Sequence, residues 1–183
     1  DVTDGTTPIL ISAVDFADKT VTATEQDNDT LNFVTSTDTV NVPEGSTATF
    51  TVALSHQPES NVVATVARVS GDTDISVTGG SSLTFTTVNW AEPQTATLTA
   101  AEDADVANDS ATIRVSGGGL TPKDVTATEQ DNDTLNFETD KDLVNVPEGG
   151  TETFQVRLTA QPSSTVNASV TRVSGDNDIS VSS

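Results

Sequence analysis

Cysteine and methionine are absent from this 183-residue chain, histidine and tryptophan occur once each, and only 7 residues are lysine or arginine. Without cysteine there is no disulfide framework, no thiolate metal site and no thiol nucleophile, although that absence alone fixes no compartment. The 7 basic residues face 28 acidic ones, for a net charge of −21. Phosphate-rich partners are therefore repelled, which argues against nucleic acid and against an anionic membrane surface. No apolar run is long enough to cross a bilayer, so direct membrane insertion is not expected. With neither an initiator methionine nor a signal-peptide pattern, the chain reads as a mature or excised portion of something longer. No helical period appears in it.

What the sequence does contain is a repeat. Residues 105–183 match residues 1–79 at a constant offset of 104, with 46 identities in 79 positions and no gap. TVTATEQDNDTLNF from Thr20 returns as DVTATEQDNDTLNF from Asp124, VNVPEG from Val40 returns from Val144, and RVSGDTDIS from Arg68 returns as RVSGDNDIS from Arg172. A period of this size is that of one compact domain, so the chain reads as a window on a tandem array. The expected organisation is residues 1–30 as the end of a preceding module, 31–133 as a complete module, and 134–183 as the start of a following one. Neighbouring sequence in a continuous polymer is expected to complete both flanking fragments. The competing reading is strand donation between chains, which builds a head-to-tail filament.

Threonine fills 33 of the 183 positions and alternates with Val, Ala, Leu and Ile, as suits pleated, half-buried strands. Leu31 with Phe33 begins a first strand that Val40 and Val42 continue. Phe50, Val52 and Leu54 mark a second, and Val62, Ala64 and Val66 a third. Leu83 with Phe85, Ala96 with Leu98, Ala111 with Ile113 and Val115, and Val125 with Ala127 mark the rest. The repeat supports this facing, because Phe50, Val52 and Leu54 return as Phe154, Val156 and Leu158 while Thr51 and Ala53 become Gln155 and Arg157. Seven or eight short strands with frequent turn signals predict an antiparallel, immunoglobulin-like β-sandwich.

Connections in such a fold alternate between its two ends. The turn at Pro43–Ser46, SGDTD at Ser70–Asp74, AEDADVAND at Ala101–Asp109 and the exit TEQDND at Thr128–Asp133 fall at one end. The link through Gly79–Ser82 is expected to pass over the other. The first end gathers Glu44, Asp72, Asp74, Glu102, Asp103, Asp105, Asp109, Glu129, Asp131 and Asp133, with counterparts Glu25, Asp27, Asp29 and Glu148 in the flanking fragments. Carboxylates so concentrated repel, and a fold that collects them calls for a cation. Hard oxygen donors without His or Cys point to Ca²⁺, which accepts flexible shells of about six to eight oxygens. Ordinary turn preference of Asp and Asn is the plainer explanation of the same residues.

VPEGSTATFTVALS, followed by TATLTAAEDADVANDSATIRVS, resembles the Calx-beta module of the sodium/calcium exchanger and of bacterial surface proteins. The resemblance covers Leu31–Asp133 fully and the flanks in part. It implies that Glu44, the acidic loop Glu102–Asp109, Asp131 and Asp133 bind calcium. SGDTDIS and DVAND stand where that family typically has a GSDY-type segment and an EGDE loop. The EQDND linker is also similar to the DxNDN linker of cadherins. Both likenesses imply calcium at the junction between modules.

Other features carry less. Trp90 suits core or corner packing better than a sugar-stacking platform, and His56 is replaced by Ala160 in the second copy. Asp103 and Asp105 lack the aromatic cleft of a glycosidase, so the chain is not expected to be an enzyme. Four sequons begin at Asn28, Asn108, Asn132 and Asn167. The expected function is a calcium-stiffened repeat of an extracellular or cell-surface stalk, adhesin or filament. Its partners are then neighbouring modules of the same or an identical chain. The alternative is an accessory spacer of a large secreted polysaccharide-degrading enzyme.

Overall fold

The computed structural model describes residues 2–182 and contains no helix among them. The chain divides into two units, one made of residues 2–103 with 108–132 and the other of 104–107 with 133–182.

Unit 1 opens with an antiparallel hairpin of β1 (Thr6–Ile11) and β2 (Lys19–Thr24). Its remainder is a β-sandwich. β3 (Phe33–Thr35), β5 (Thr47–Leu54), β7 (Ile75–Gly79) and β9 (Gln94–Ala100) form a four-stranded sheet in the order β3-β5-β9-β7. β4 (Thr39–Pro43), β6 (Val62–Gly71), β8 (Ser82–Phe85), β10 (Ser110–Gly117) and β11 (Lys123–Gln130) form the other, in the order β4-β11-β10-β6-β8. Alternation places Phe50, Val52 and Leu54 of β5 inward against Val42, Val66, Phe85, Leu98, Ile113, Val115 and Val125, all buried in one continuous core. The apolar alternation in the sequence therefore marks the core faces it was expected to mark.

Three details depart from the sequence reading. The first strand is not continuous but two strands in different sheets. Phe33 pairs with Leu54 in the four-stranded sheet, and after the bend at residues 36–38 Val40 pairs with Ala127 in the five-stranded sheet. Secondly, β4 runs parallel to β11, so the sandwich is antiparallel except at this pair. Such pairing needs no hairpin between the two strands, because their long separation in sequence leaves room for a crossover. Thirdly, Ile75–Gly79 is a strand in its own right, with Ile75 fully buried, and a register shift at its end near Gly79.

The third point relocates a connection. β7 runs antiparallel to β9, whose last residues lie opposite Ile75, and β8 runs antiparallel to β6, with Val62 opposite Phe85. Both β7 and β8 therefore lead away from the end where β6 finishes. Gly79–Ser82 steps from one sheet to the other part-way up, with Gly80 at φ 67° where any Cβ would strike the Thr95 carbonyl. The link that crosses the far end is residues 86–93. There Asn89 Oδ1 accepts from the Thr86 amide at 2.6 Å, and Trp90 packs half-buried against the core.

Unit 2 contains one short antiparallel pair, β12 (Phe137–Thr139) with β13 (Val156–Leu158), and most of its apolar side chains are exposed.

Truncating Phe50 to Ala removes a ring that is 1% exposed at the centre of β5. We expect a loss of about 3–5 kcal/mol. Thr49→Ala, on the outward face of the same strand, should change stability by less than about 0.5 kcal/mol. Urea unfolding followed through the fluorescence of Trp90 measures both, and equal effects would contradict the facing described.

Candidate metal centre

The end of the sandwich where β4, β6, β9 and β11 finish is built from carboxylates. Because β4 and β11 run the same way, they end level with each other, and the Glu44 amide donates to the Gln130 carbonyl at 3.0 Å. The β4–β5 turn closes with Ser46 N–H on the Pro43 carbonyl. Gly45 turns it at φ 65°, in a space where a Cβ would collide with the Glu102 carboxylate. Glycine is the residue that both constraints permit.

Glu44 is thereby held inward and buried. Its Oε1 accepts the Asp103 amide at 2.6 Å and its Oε2 the Asn132 amide at 3.2 Å. One side chain thus ties the β4–β5 turn to the 101–109 loop and to the exit of β11. Hydrogen bonds from amides to a carboxylate are stronger than neutral ones, roughly twofold.

Glu129 is placed differently from its reading as a loop residue. It is the last inward position of β11, following Val125 and Ala127, and its amide donates to the Asp109 carbonyl at 2.8 Å. The side chain is 1% exposed, and neither carboxylate oxygen has a hydrogen-bond partner. Asp72 Oδ2 is also buried without a partner. One oxygen each from Glu44, Asp103 and Glu129 lies within 4.8 Å of the others. Burial first, then the charges of Asp103, Asp72, Glu44 and Asp74, push the Glu129 carboxyl up to about 7. A buried carboxylate without donors or a countercharge is costly by several kcal/mol.

The remaining candidates are more peripheral. Asp72 takes the Asp74 amide on Oδ1 at 3.1 Å, so both stand in the β6–β7 turn beside Glu129. Glu102 is exposed over Gly45, and Asp109 contributes its carbonyl rather than its side chain to Glu129. The Asp131 amide is held by Asn108 Oδ1 at 2.7 Å. Asp105 lies in the segment assigned to unit 2, with its Oδ1 on the Ala107 amide. Asp133 and Glu148 are exposed in unit 2. In the hairpin, Glu25 is exposed, while the Asp27 Oδ1 accepts the Asp29 amide and Asp29 approaches His56 Nε2 at 3.4 Å. The sequence reading overlooked Asn108 and the backbone amides of Asp103 and Asn132 as the groups that position the acids. Nothing but the fold brings those amides to Glu44.

No protein-family model and no curated protein sequence matches the chain. Among solved structures, one described as a chaperone–tip adhesin complex of CFA/I fimbriae biogenesis is similar at 7% identity and a TM-score of 0.44. The likeness covers 59% of this chain and 60% of that one, so this chain spans about three-fifths of its length. At that level it supports no inference about function.

The position of Glu129 fixes how the metal-free protein responds to pH. Its folded-state pKa, about 7, lies above the ordinary 4.5. Between those values the folded protein keeps a proton that the unfolded chain loses, so stability falls as pH rises and levels off above about 7. In chelator, unit 1 should melt at a higher temperature at pH 5 than at pH 8. Glu129→Gln should flatten that difference. A pH-independent midpoint in the parent protein would show that Glu129 has found a partner.

Proposed function

We propose that this chain is a calcium-binding structural repeat of an extracellular or cell-surface array, acting as a stalk, adhesin or filament segment. The observation that carries the reading is Glu129, a buried carboxylate with neither oxygen hydrogen-bonded, facing Glu44 and Asp103. An all-oxygen donor set with no nitrogen or sulfur ligand fits a hard divalent cation, and donors drawn from an irregular loop suit the variable shell of Ca²⁺ better than the stricter octahedron of Mg²⁺.

A bound cation supplies the positive charge that offsets the repulsion among the three carboxylates. The residues of the chain do the rest. Glu44 keeps both of its oxygens on the Asp103 and Asn132 amides, and Asn132 is the last residue of unit 1 before the following segment. The start of the exit from β11 is thus held by a carboxylate that would lie beside the cation. Without that charge, repulsion among Glu44, Asp103 and Glu129 loosens the exit. In this way calcium stiffens the connection to the next repeat.

Calcium should raise the melting temperature of unit 1 relative to chelator at pH 7.5. At tenfold excess over the dissociation constant, one site contributes about 1.4 kcal/mol. Extracellular modules typically bind calcium at about 10⁻⁴–10⁻³ M, so millimolar calcium is the relevant range. Glu129→Gln should remove most of this gain while leaving the sandwich folded, and equal stabilisation by magnesium would argue for a different ion. An unchanged midpoint on adding calcium overturns the proposal.

A further inference from the structure

We propose that the parallel ladder between β4 and β11 is a shear clamp, through which the sandwich of unit 1 resists tension applied along the chain. That role rests on the reading of the chain as a repeat of an array, since a repeat held from both sides is one that is pulled.

The chain enters and leaves the sandwich at opposite ends. Phe33 opens β3 opposite Leu54, the last residue of β5. β5 starts from the turn that follows β4 at the acidic end, so the entry lies at the far end. It is fastened there by the Asn32 amide, which donates to Ser55 Oγ at 2.9 Å, and by Ser55 Oγ, which donates to the Thr30 carbonyl at 3.0 Å. β11 finishes at the acidic end beside Glu44, and β4 runs in the same direction as β11. Tension on the residues before Phe33 therefore draws β4 toward the far end, while tension on the residues after Gln130 draws β11 toward the acidic end. The two strands are pulled in opposite senses along their own axes.

Direction decides how a ladder fails. Pulled apart sideways, two strands open progressively, and each hydrogen bond takes the force in turn. Pulled lengthwise, the bonds share the force and must give way together. The bonds of a parallel pair are evenly spaced, which spreads the load along it. Here the ladder runs from Thr39 opposite Thr126 to Pro43 opposite Gln130. Beyond its first pair, the Thr126 amide donates to the Asp38 carbonyl at 2.9 Å, and Lys123 Nζ meets Asp38 Oδ1 at 2.6 Å. Beyond its last, the Glu44 amide donates to the Gln130 carbonyl at 3.0 Å and the Asn132 amide to Glu44 Oε2 at 3.2 Å.

The load has no path around this ladder. β4 is the edge strand of its sheet and pairs with β11 alone, whereas β11 is held by β10 on its other side. Rupture therefore frees β4. β3 pairs with β5 over Phe33–Thr35 only, so it is the weaker hold on the entry and yields first. Sliding β4 also drags Val40 and Val42, 7% and 0% exposed, out of the core.

The chain has no cysteine, so force can be applied at chosen residues in an optical trap. In millimolar calcium, Thr30→Cys with Thr134→Cys pulls along the strands, and Asn41→Cys with Thr84→Cys pulls across the five-stranded sheet from β4 to β8. All four side chains are exposed. Forced unfolding reports an unfolding rate, so at one loading rate the first pair should rupture at several times the force of the second. Its main rupture should start from a state lengthened by no more than residues 31–38. Melting that ignores calcium would fail the cation reading alone, because none of these bonds involves a metal. Equal forces in the two directions, or release of β4 before the main rupture, overturn the proposal.

Discussion

The end of the sandwich depends on an unfavourable electrostatic arrangement. β11 carries Val125, Ala127 and Glu129 inward in succession, so an apolar row ends in a carboxylate where another aliphatic residue would have closed the core. A small domain is stable by only about 5–15 kcal/mol in total. An ionised group shut away from water, among four more acids, consumes a large part of that margin. Two states relieve it, protonation and a cation. The first is available chiefly below about pH 7, to which the carboxyl is shifted. The second is available wherever a hard divalent ion is abundant.

The scaffold makes this arrangement through the pairing of β4 with β11. A parallel pair brings two chain ends to the same level and the same side. Glu44 begins a turn directly beside the exit of β11, and its amide can reach the Gln130 carbonyl. An antiparallel neighbour would have put the start of β4 there instead, and Glu44 at the far end. The bend at residues 36–38 therefore helps to position Glu44, although it lies at the other end of β4. It moves the chain out of the four-stranded sheet so that β4 can occupy the edge beside β11.

Much of the sandwich was legible in the sequence because alternation reports burial directly. Phe50, Val52, Leu54, Ile113, Val115 and Val125 are inward as their spacing required. Alternation does not report which sheet a strand joins. The break in the first strand left one trace, since the inward positions pass from odd-numbered Phe33 to even-numbered Val40 and Val42, which a continuous strand does not permit. β7 escaped because it is short and ends in glycine. Within the acidic end, the sequence located the loops but did not rank their acids. The parity of Glu129 with Val125 and Ala127 was the available signal that this one is buried. The amide donors to Glu44 had no signal at all, because Asp103 and Asn132 lie 59 and 88 residues from it in the chain.

Comparison of the two copies separates what short segments determine from what closure of the fold determines. In the hairpin, Glu25 N–H donates to the Gly5 carbonyl and Asp27 N–H to Asp4 Oδ1, the same bonds at an offset of 104 as Glu129 to Asp109 and Asp131 to Asn108. In unit 2, the Asn136 amide is held by the Thr159 hydroxyl as Asn32 is by Ser55. Arg172 Nη1 bonds the Gly175 carbonyl as Arg68 does Gly71. These contacts persist where no sandwich surrounds them, so turns and hairpin registers are properties of the local sequence. Burial is not. Glu25 is exposed and its counterpart Glu129 is enclosed, and Glu148 lies in the solvent where Glu44 is held by two amides. Glu44, Asp103 and Glu129 come together as a group that could hold a metal ion only where the strands of the sandwich close over them. The grouping of these carboxylates is consequently a product of folding rather than of any one acidic string.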